Sequence, residues 1–488
     1  MSENEQNPYA KHTTSGDSRS AVEPATPTSA SRIRSLATRV VRFGVLVSAL
    51  FVLSSVLDAF AAPPIPQYGP DKHEGVSSCD GSTCHGSAAP RNDRNVMQNE
   101  YSVWVDEDRH SMRAYKVLLN KNSIRISKNL GRKKKPHQDD LCLDCHADNP
   151  PAAKRRTENN AFRVQDGVGC EGCHGGAERW LIPHDSNATH AKNLELGMYP
   201  TDQPVARARL CLSCHLGDRN KFVDHRLMGA GHPRQSFELS LFSILQPYHW
   251  EPDDDYIARG KAVPNDVKLW AIGQAVAIDE ILDAMMDPKR NSLGAFPELV
   301  LYDCQACHHA IDKTRRWRPR KSTGLGPGVV RLNDSAFLML MQALDVVDAP
   351  AAAKLRADLR KLHQATSEGR GNAQTTAKAI RANIAKLLPK LEAWKVNKTA
   401  LRKLAKGILK QAVAGEFTDY AGSEQAAMAL QSIVYNYLLE GIINDPTYDA
   451  LERNELSKLL ASVEDPDKFN PDRAKKAFRS LQAKLANK

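Results

Sequence analysis

The chain has 488 residues, 41% of them hydrophobic and 6% aromatic, with ten cysteines and a formal net charge of +10. That length accommodates two or three domains of ordinary size and excludes a lone small module. The positive balance fits an acidic partner, nucleic acid or a membrane surface, and charge alone does not choose among them.

Residues 1–31 are polar, rich in Ser, Thr, Pro and Asn, and without apolar periodicity, so they read as disordered. Arg32, Arg34, Arg39 and Arg42 then precede an apolar run from Phe43 to Leu57, which Asp58 ends. Ala59-Phe60-Ala61 supplies small residues where a signal peptidase cuts. The run of fifteen falls short of a comfortable bilayer span. The pattern is that of a secretory signal, and the mature protein is expected to begin near Ala62. The competing reading is an uncleaved inner-membrane anchor over residues 43–61. Both place the rest of the chain in the periplasm.

Residues 62–77 form a linker, proline-rich at its start. Residues 78–314 hold every cysteine in a sequence punctuated by Gly and Pro. Little regular structure is expected there, apart from helical apolar spacing in Tyr101–Leu119 and Val267–Met286. Residues 315–334, with Gly324, Gly326, Pro327 and Gly328, read as an extended connector. Residues 335–488 contain no cysteine and read as a helical bundle. Its apolar stripes are Ile380/Ile384/Leu387/Leu391, in a helix that Pro389 should kink or end, then Ala427/Leu430/Val434/Leu438 and Ala474/Phe478/Leu481/Leu485. Asn470 and Pro471 open the last helix as cap and first helical residue. His363, alone in a charged helix, is expected at the surface. The expected fold is mainly α: a loop-rich cysteine-bearing domain followed by a cysteine-free bundle.

All ten cysteines fall in pairs, and a histidine follows each pair. Four have a two-residue gap: Cys142/Cys145 before His146, Cys170/Cys173 before His174, Cys211/Cys214 before His215, and Cys304/Cys307 before His308. The first, Cys79/Cys84 before His85, has a four-residue gap. Two thiols at this spacing add across the two vinyl groups of one haem, and the adjacent imidazole then falls beneath the iron. A chance Cys-x-x-Cys-His would arise on the order of once per hundred such chains. Structural zinc would need pairs to converge and has no use for a constant following His. Five disulfides would suit an exported chain but leave the histidines unexplained. The sequence therefore predicts five covalently attached haems c, in a domain spanning 78–314. Their propionates offset much of the positive charge, and no nucleic-acid role is assigned.

A second axial histidine makes a haem an electron carrier, whereas an open face makes it a site for substrate. His73, His110, His137, His184, His190, His225, His232, His249 and His309 crowd the same region. The favoured distal set is His110, His184, His225 and His232, then His73 and His190. His225 and His232 bracket a Gly-Ala-Gly turn that lets backbone approach a porphyrin. His137 and His249 lie in a basic run and an acidic loop, and His309 points away if His308 binds.

From Cys79 to His232 the chain resembles the tetrahaem cytochrome c-554 family, which accepts electrons from hydroxylamine oxidoreductase. The resemblance rests on Trp104 and His110 after the first pair, on Gly167-Val168-Gly169-Cys170-Glu171-Gly172-Cys173-His174-Gly175, and on a fourth motif after a longer gap. It implies closely stacked haem pairs, a distal ligand at His110, and another at His184 or His190. His225-Arg226-Leu227-Met228-Gly229-Ala230-Gly231-His232-Pro233 looks like the pattern of related pentahaem cytochromes. The fifth motif, the wider first motif and the haem-free tail depart from the family.

Two functions from different classes compete. One is an electron carrier between a redox donor and acceptor, with a membrane-associated protein as one such partner. The other is a multihaem oxidoreductase acting on a small nitrogen or sulfur compound at one open haem. No Cys-x-x-Cys-Lys, the signature of ammonia-forming nitrite reductases, occurs. Carriage is the expected role, and deleting residues 335–488 is expected to leave the haem spectrum intact.

Overall fold

The computed structural model describes residues 63–91, 97–291, 295–309, 320, 325, 329–486 and 488. The expected disordered start and signal or anchor lie outside the described residues. Among the described residues no strand forms, and the isolated bridges are His73–Arg155 and Tyr302–Leu332. The fold is mainly α, as expected. No helix among the described residues is long and apolar enough to cross a membrane.

The principal helices of the cysteine-bearing region are short: α1 (Glu100–Asp106), α2 (Met112–Lys116), α3 (Lys121–Asn129), α4 (Asp140–His146), α5 (Cys170–His174), α6 (Leu181–Asp185), α7 (Pro204–His215), α8 (His225–Gly229) and α9 (Leu239–Leu245). The long α10 (Asp266–Met286) and the single turn α11 (Cys304–Cys307) complete it. The bundle comprises α12 (Ser335–Val347), α13 (Ala349–Glu368), α14 (Arg370–Glu392), α15 (Lys398–Ala414), α16 (Tyr420–Leu439) and α17 (Pro471–Leu485).

The helix at the centre of the bundle comes from outside it. Asn265 caps α10 by accepting from the N–H groups of Val267 and Lys268. Val267, Trp270, Ala271, Ile272, Val276, Ile278 and Leu282 then bury it on every side, as befits a core helix. It packs along α14 and also touches α7, α9, α12 and α16. One apolar core therefore runs from Ala208 and Leu212 of α7 to Leu485 of α17. Polar ties accompany it: Arg381 to Asp279 at 2.7 Å, Gln274 to Gln425 at 2.8 Å, and Arg234 to Glu424 at 2.6 Å. Packing crosses the expected division between cysteine domain and bundle, and Pro63–Lys488 forms one compact unit.

The segment around the first three motifs has little such core. Its cluster consists of Tyr115, Leu118, Leu143 and Ala147. A region this poor in apolar contacts must recruit other apolar surface to fold, and porphyrin faces are the surface its motifs would attract.

Two expectations about the bundle need correction. His363 is not at the surface but 1% exposed, with Nε2 3.8 Å from Asp334. Lys354, Arg360 and Lys361 of the helix that carries it stay exposed, and burial pushes this imidazole down to about 4. Pro389 does not stop α14, which runs to Glu392. Lacking an N–H, it leaves the Ala385 carbonyl without its helical partner, and the helix ends within one further turn.

The shared core changes the expected outcome of truncation. Deleting residues 335–488 should strip the buried faces of α10, so the fragment should bind apolar dyes strongly and show a shifted Soret band. A soluble fragment with an unshifted Soret band would show that α10 does not depend on the bundle.

Candidate haem-ligand site

Each regular motif is wound into helix. Within α4, α5, α11 and the last turn of α7, the paired cysteines stand three residues apart and so share one face. The histidine at the next position lies beside them. The wider first pair uses a tight turn instead, closed by Cys84 N–H to Gly81 O at 2.8 Å and His85 N–H to Cys79 O at 3.2 Å. Gly86 is required there, because a Cβ would fall 1.9 Å from Asp80 O. None of the ten cysteines is disulfide-bonded. Glu171 of the third motif accepts from Gly75 N–H, just before the first motif, at 2.7 Å, and Cys214 Sγ of the fourth donates to Asp144 O of the second at 3.9 Å. The first motif thus lies against the third, and the second against the fourth.

Four motif imidazoles each face an imidazole from elsewhere in the chain. Ring centres are 6.2 Å apart for His85 and His184, 6.4 Å for His146 and His232, 6.2 Å for His215 and His110, and 6.0 Å for His308 and His225. Two imidazoles sharing one metal ion through bonds of about 2.0 Å place their ring centres about 6 Å apart. The interplanar angles fall into two classes, 11° and 30° for the pairs containing His85 and His308, against 71° and 81° for those containing His146 and His215.

The other nitrogen of these rings is anchored, as in metal-ligating histidines generally. Nδ1 of His85 lies 2.9 Å from Glu100, that of His110 2.9 Å from Asp108, that of His146 3.2 Å from Ala114 O and that of His232 2.8 Å from Pro233 O. Each leaves Nε2 to a metal. His215 is fixed by stacking on Phe237 at 4.6 Å. Burial, then the positive neighbours His110 and His146, push His215 down to about 4, so it stands as the neutral base a metal requires.

The loop that delivers His110 explains two features of the family pattern. Gly167 adopts φ +84°, and a Cβ there would lie 2.1 Å from Ser111 O. That close approach lets Val168 N–H donate to His110 O at 2.8 Å, while Val168 O accepts from Trp104 Nε1 at 3.1 Å. Trp104 and the Gly-Val-Gly run together clamp the His110 loop against the third motif. His225 follows the Asp224 cap of α8, and its N–H donates to Glu298 at 3.0 Å.

Two candidates do not join the set. His73 is fully buried with both ring nitrogens engaged, Nδ1 with Asp148 at 2.7 Å and Nε2 with Pro66 O at 3.3 Å. It locks the N-terminal segment, through a cluster completed by Glu171, and has no lone pair left for iron. His190 Nε2 points to Asp202 at 3.4 Å rather than to a motif imidazole. His309 Nδ1 turns back to Gln305 O at 2.6 Å. His174 differs from the other motif histidines: among the described residues, no imidazole ring faces it as closely as in the four pairs. Burial, then the charge of His249, push it down to about 3. The sequence placed His249 in an acidic loop. The next residue, Trp250, stacks between Tyr248 and Tyr256 with Arg207 above its ring, which no local signal announces.

Residues 78–175 match the family model for cytochrome c554 and c-prime. That segment, about a fifth of the chain, is similar to c554-type cytochromes. No curated protein and no solved structure matches it significantly. The matched segment carries the first three motifs with Trp104 and His110, and the match implies covalently bound haem c there. The facing imidazoles with free Nε2 atoms fit that group, which supplies reversible one-electron chemistry when bound. The fourth and fifth motifs lie beyond the match.

Asp108 gives a pH test of the His110 anchor. Burial opposes its charge, yet hydrogen bonds from His110 and that residue's charge hold it down at about 2. A carboxylate held below its unfolded value stabilises the fold above about pH 4 and ceases to as pH falls towards 2. Asp108→Asn should cost on the order of 1–2 kcal/mol at pH 6 and flatten the acid limb of a stability–pH curve measured by denaturant titration.

Proposed function

We propose that this cytochrome carries five haems c outside the cytoplasm and passes electrons between a redox donor and an acceptor protein. The observation that carries the reading is the set of four facing imidazole pairs, which suits six-coordinate, low-spin irons that conduct without binding substrate. The proximal ligands are His85, His146, His174, His215 and His308. The distal partners are His184 for His85, His232 for His146, His110 for His215 and His225 for His308. The contacts between first and third motifs, and between second and fourth, favour haem-to-haem hopping. Export follows from the reading of residues 32–61, with cleavage near Ala62 or anchorage by residues 43–61.

Haem load and ligand geometry test this directly. Pyridine haemochrome with intact mass should give five haems per chain; four haems and two free thiols would remove the first motif from the reading. Near-parallel imidazole planes give rhombic low-spin resonance spectra, and crossed planes give strongly anisotropic ones. Low-temperature paramagnetic resonance should therefore resolve both types, from the pairs at 11° and 30° and from those at 71° and 81°.

A second reading, an oxidoreductase acting on a small nitrogen or sulfur compound, is favoured by one observation: the third motif lacks a closely facing ring. We assign His249 to close that iron, since its Nδ1 lies 3.2 Å from Pro247 O and Nε2 remains for metal. The ferrous protein should then bind carbon monoxide slowly, and His249→Ala should create one rapidly binding, high-spin haem. Rapid binding by the unaltered protein would instead support the oxidoreductase.

A further inference from the structure

Between Met112 and Gln138 the chain has nine lysines and arginines and no aspartate or glutamate. Arg132 is neutralised by Asp139 through two hydrogen bonds of 2.7 Å, and Lys134 stands 3.5 Å from Asp140. Lys116, Lys121, Arg125, Lys128, Lys133 and Lys135 are exposed and make no ion pair among the described residues. Among them lie three apolar side chains that also face solvent: Val117 at 39%, Leu119 at 49% and Ile124 at 54% exposure. An apolar centre with a rim of one sign of charge is the anatomy of a protein-docking surface.

This surface is built onto the second motif. Asn120 caps α3 by accepting from Ser123 N–H, and Ser127 Oγ ties the helix to Lys134 O at 3.2 Å. Asn129 Nδ2 donates to Ala230 O at 3.0 Å, and a Cβ on Gly231 would stand 3.5 Å from the Arg125 guanidinium. Arg125 thus lies beside the residue that precedes His232. On the other side, Ala114 of α2 accepts the Nδ1 hydrogen bond of His146. The basic segment therefore holds both members of the His146–His232 pair, and a molecule seated on it is close to the haem they would share.

We propose that the Met112–Gln138 surface docks an acidic redox protein, which exchanges electrons with the haem attached at Cys142 and Cys145. The proposal rests on the reading of His146 and His232 as axial ligands. Charge complementarity selects the partner, because unpaired cations attract a carboxylate-rich face and steer its approach. The exposed apolar residues then give the contact its short-range grip.

The test uses the full-length, haem-loaded protein and an acidic flavodoxin in its hydroquinone form as electron donor, followed by stopped flow. The unaltered protein should be reduced fast at low ionic strength and progressively more slowly as salt is added. The triple variant Lys121→Glu, Arg125→Glu, Lys128→Glu should lose about tenfold or more in second-order rate at low salt and show a flattened salt dependence. The same three residues changed to Gln should give an intermediate loss, which protects the test should charge reversal disturb folding. Reduction by dithionite and the haem-to-protein ratio should not change. Lys476→Glu, Arg479→Glu, Lys484→Glu, on the far helix α17, should slow the reaction by less than about twofold. Equal effects of the two charge-reversal sets, or no effect of the first, would overturn the proposal. So would loss of binding to phosphatidylglycerol vesicles with flavodoxin rates unchanged, since the surface would then serve a membrane. Failure of the axial-ligand reading is separable, because it would appear in the resonance spectrum of the unaltered protein.

Discussion

A haem tied to two cysteines and the next histidine receives only one axial ligand from its own motif, so any second imidazole must arrive from distant sequence. That constraint organises the cysteine-bearing region. His184 reaches His85 across about a hundred residues of chain, His110 comes back to His215, and His225 meets His308. The loops between motifs are shaped by delivery of a ring rather than by regular secondary structure. Gly167, Val168 and Trp104 show this most directly: a positive φ, a backbone pair and an indole hydrogen bond all serve to hold one histidine loop in place.

The anchoring nitrogen divides the histidines further. His85 and His110 rest on carboxylates, which polarise the Nδ1–H bond and strengthen Nε2 as a donor to metal. His146 and His232 rest on backbone carbonyls, a weaker influence. Irons held by these two kinds of pair would differ in electron density, and hence in potential. The fifth motif is tied in differently. Arg331 bridges Asp303, which caps α11, to Asp419, which caps α16, and Gln305 accepts from Tyr420 N–H. Movement of the bundle would therefore be felt at the fifth motif.

The bundle is more than an appendage, because its centre is α10. Trp270, Ile272, Ile278 and Leu282 are fully buried among helices that follow the last cysteine, while Leu212, three residues before His215, belongs to the same core. Apolar burial in the second half thereby fixes the fourth motif, and the region around the first three, with its small cluster at Tyr115, Leu118, Leu143 and Ala147, depends on contacts with what is already fixed.

Local sequence determined what local chemistry can specify. Two thiols and an imidazole at fixed spacing define a haem attachment without reference to the rest of the chain, and 3.6-residue periodicity defines Ala474, Phe478, Leu481 and Leu485 as a buried stripe. The histidines available to face those motifs were legible as a set, because their crowding is a matter of composition. Which ring meets which was not, since pairing depends on loop closures such as Val168 to His110 that carry no local signature. Burial was equally hidden at His73 and His363. Both lie in polar sequence; Asp148, brought from far along the chain, bonds the His73 ring, whereas His363 is buried as a neutral ring 3.8 Å from Asp334. A histidine's role is decided by where its second nitrogen finds a partner, and that partner is a tertiary fact.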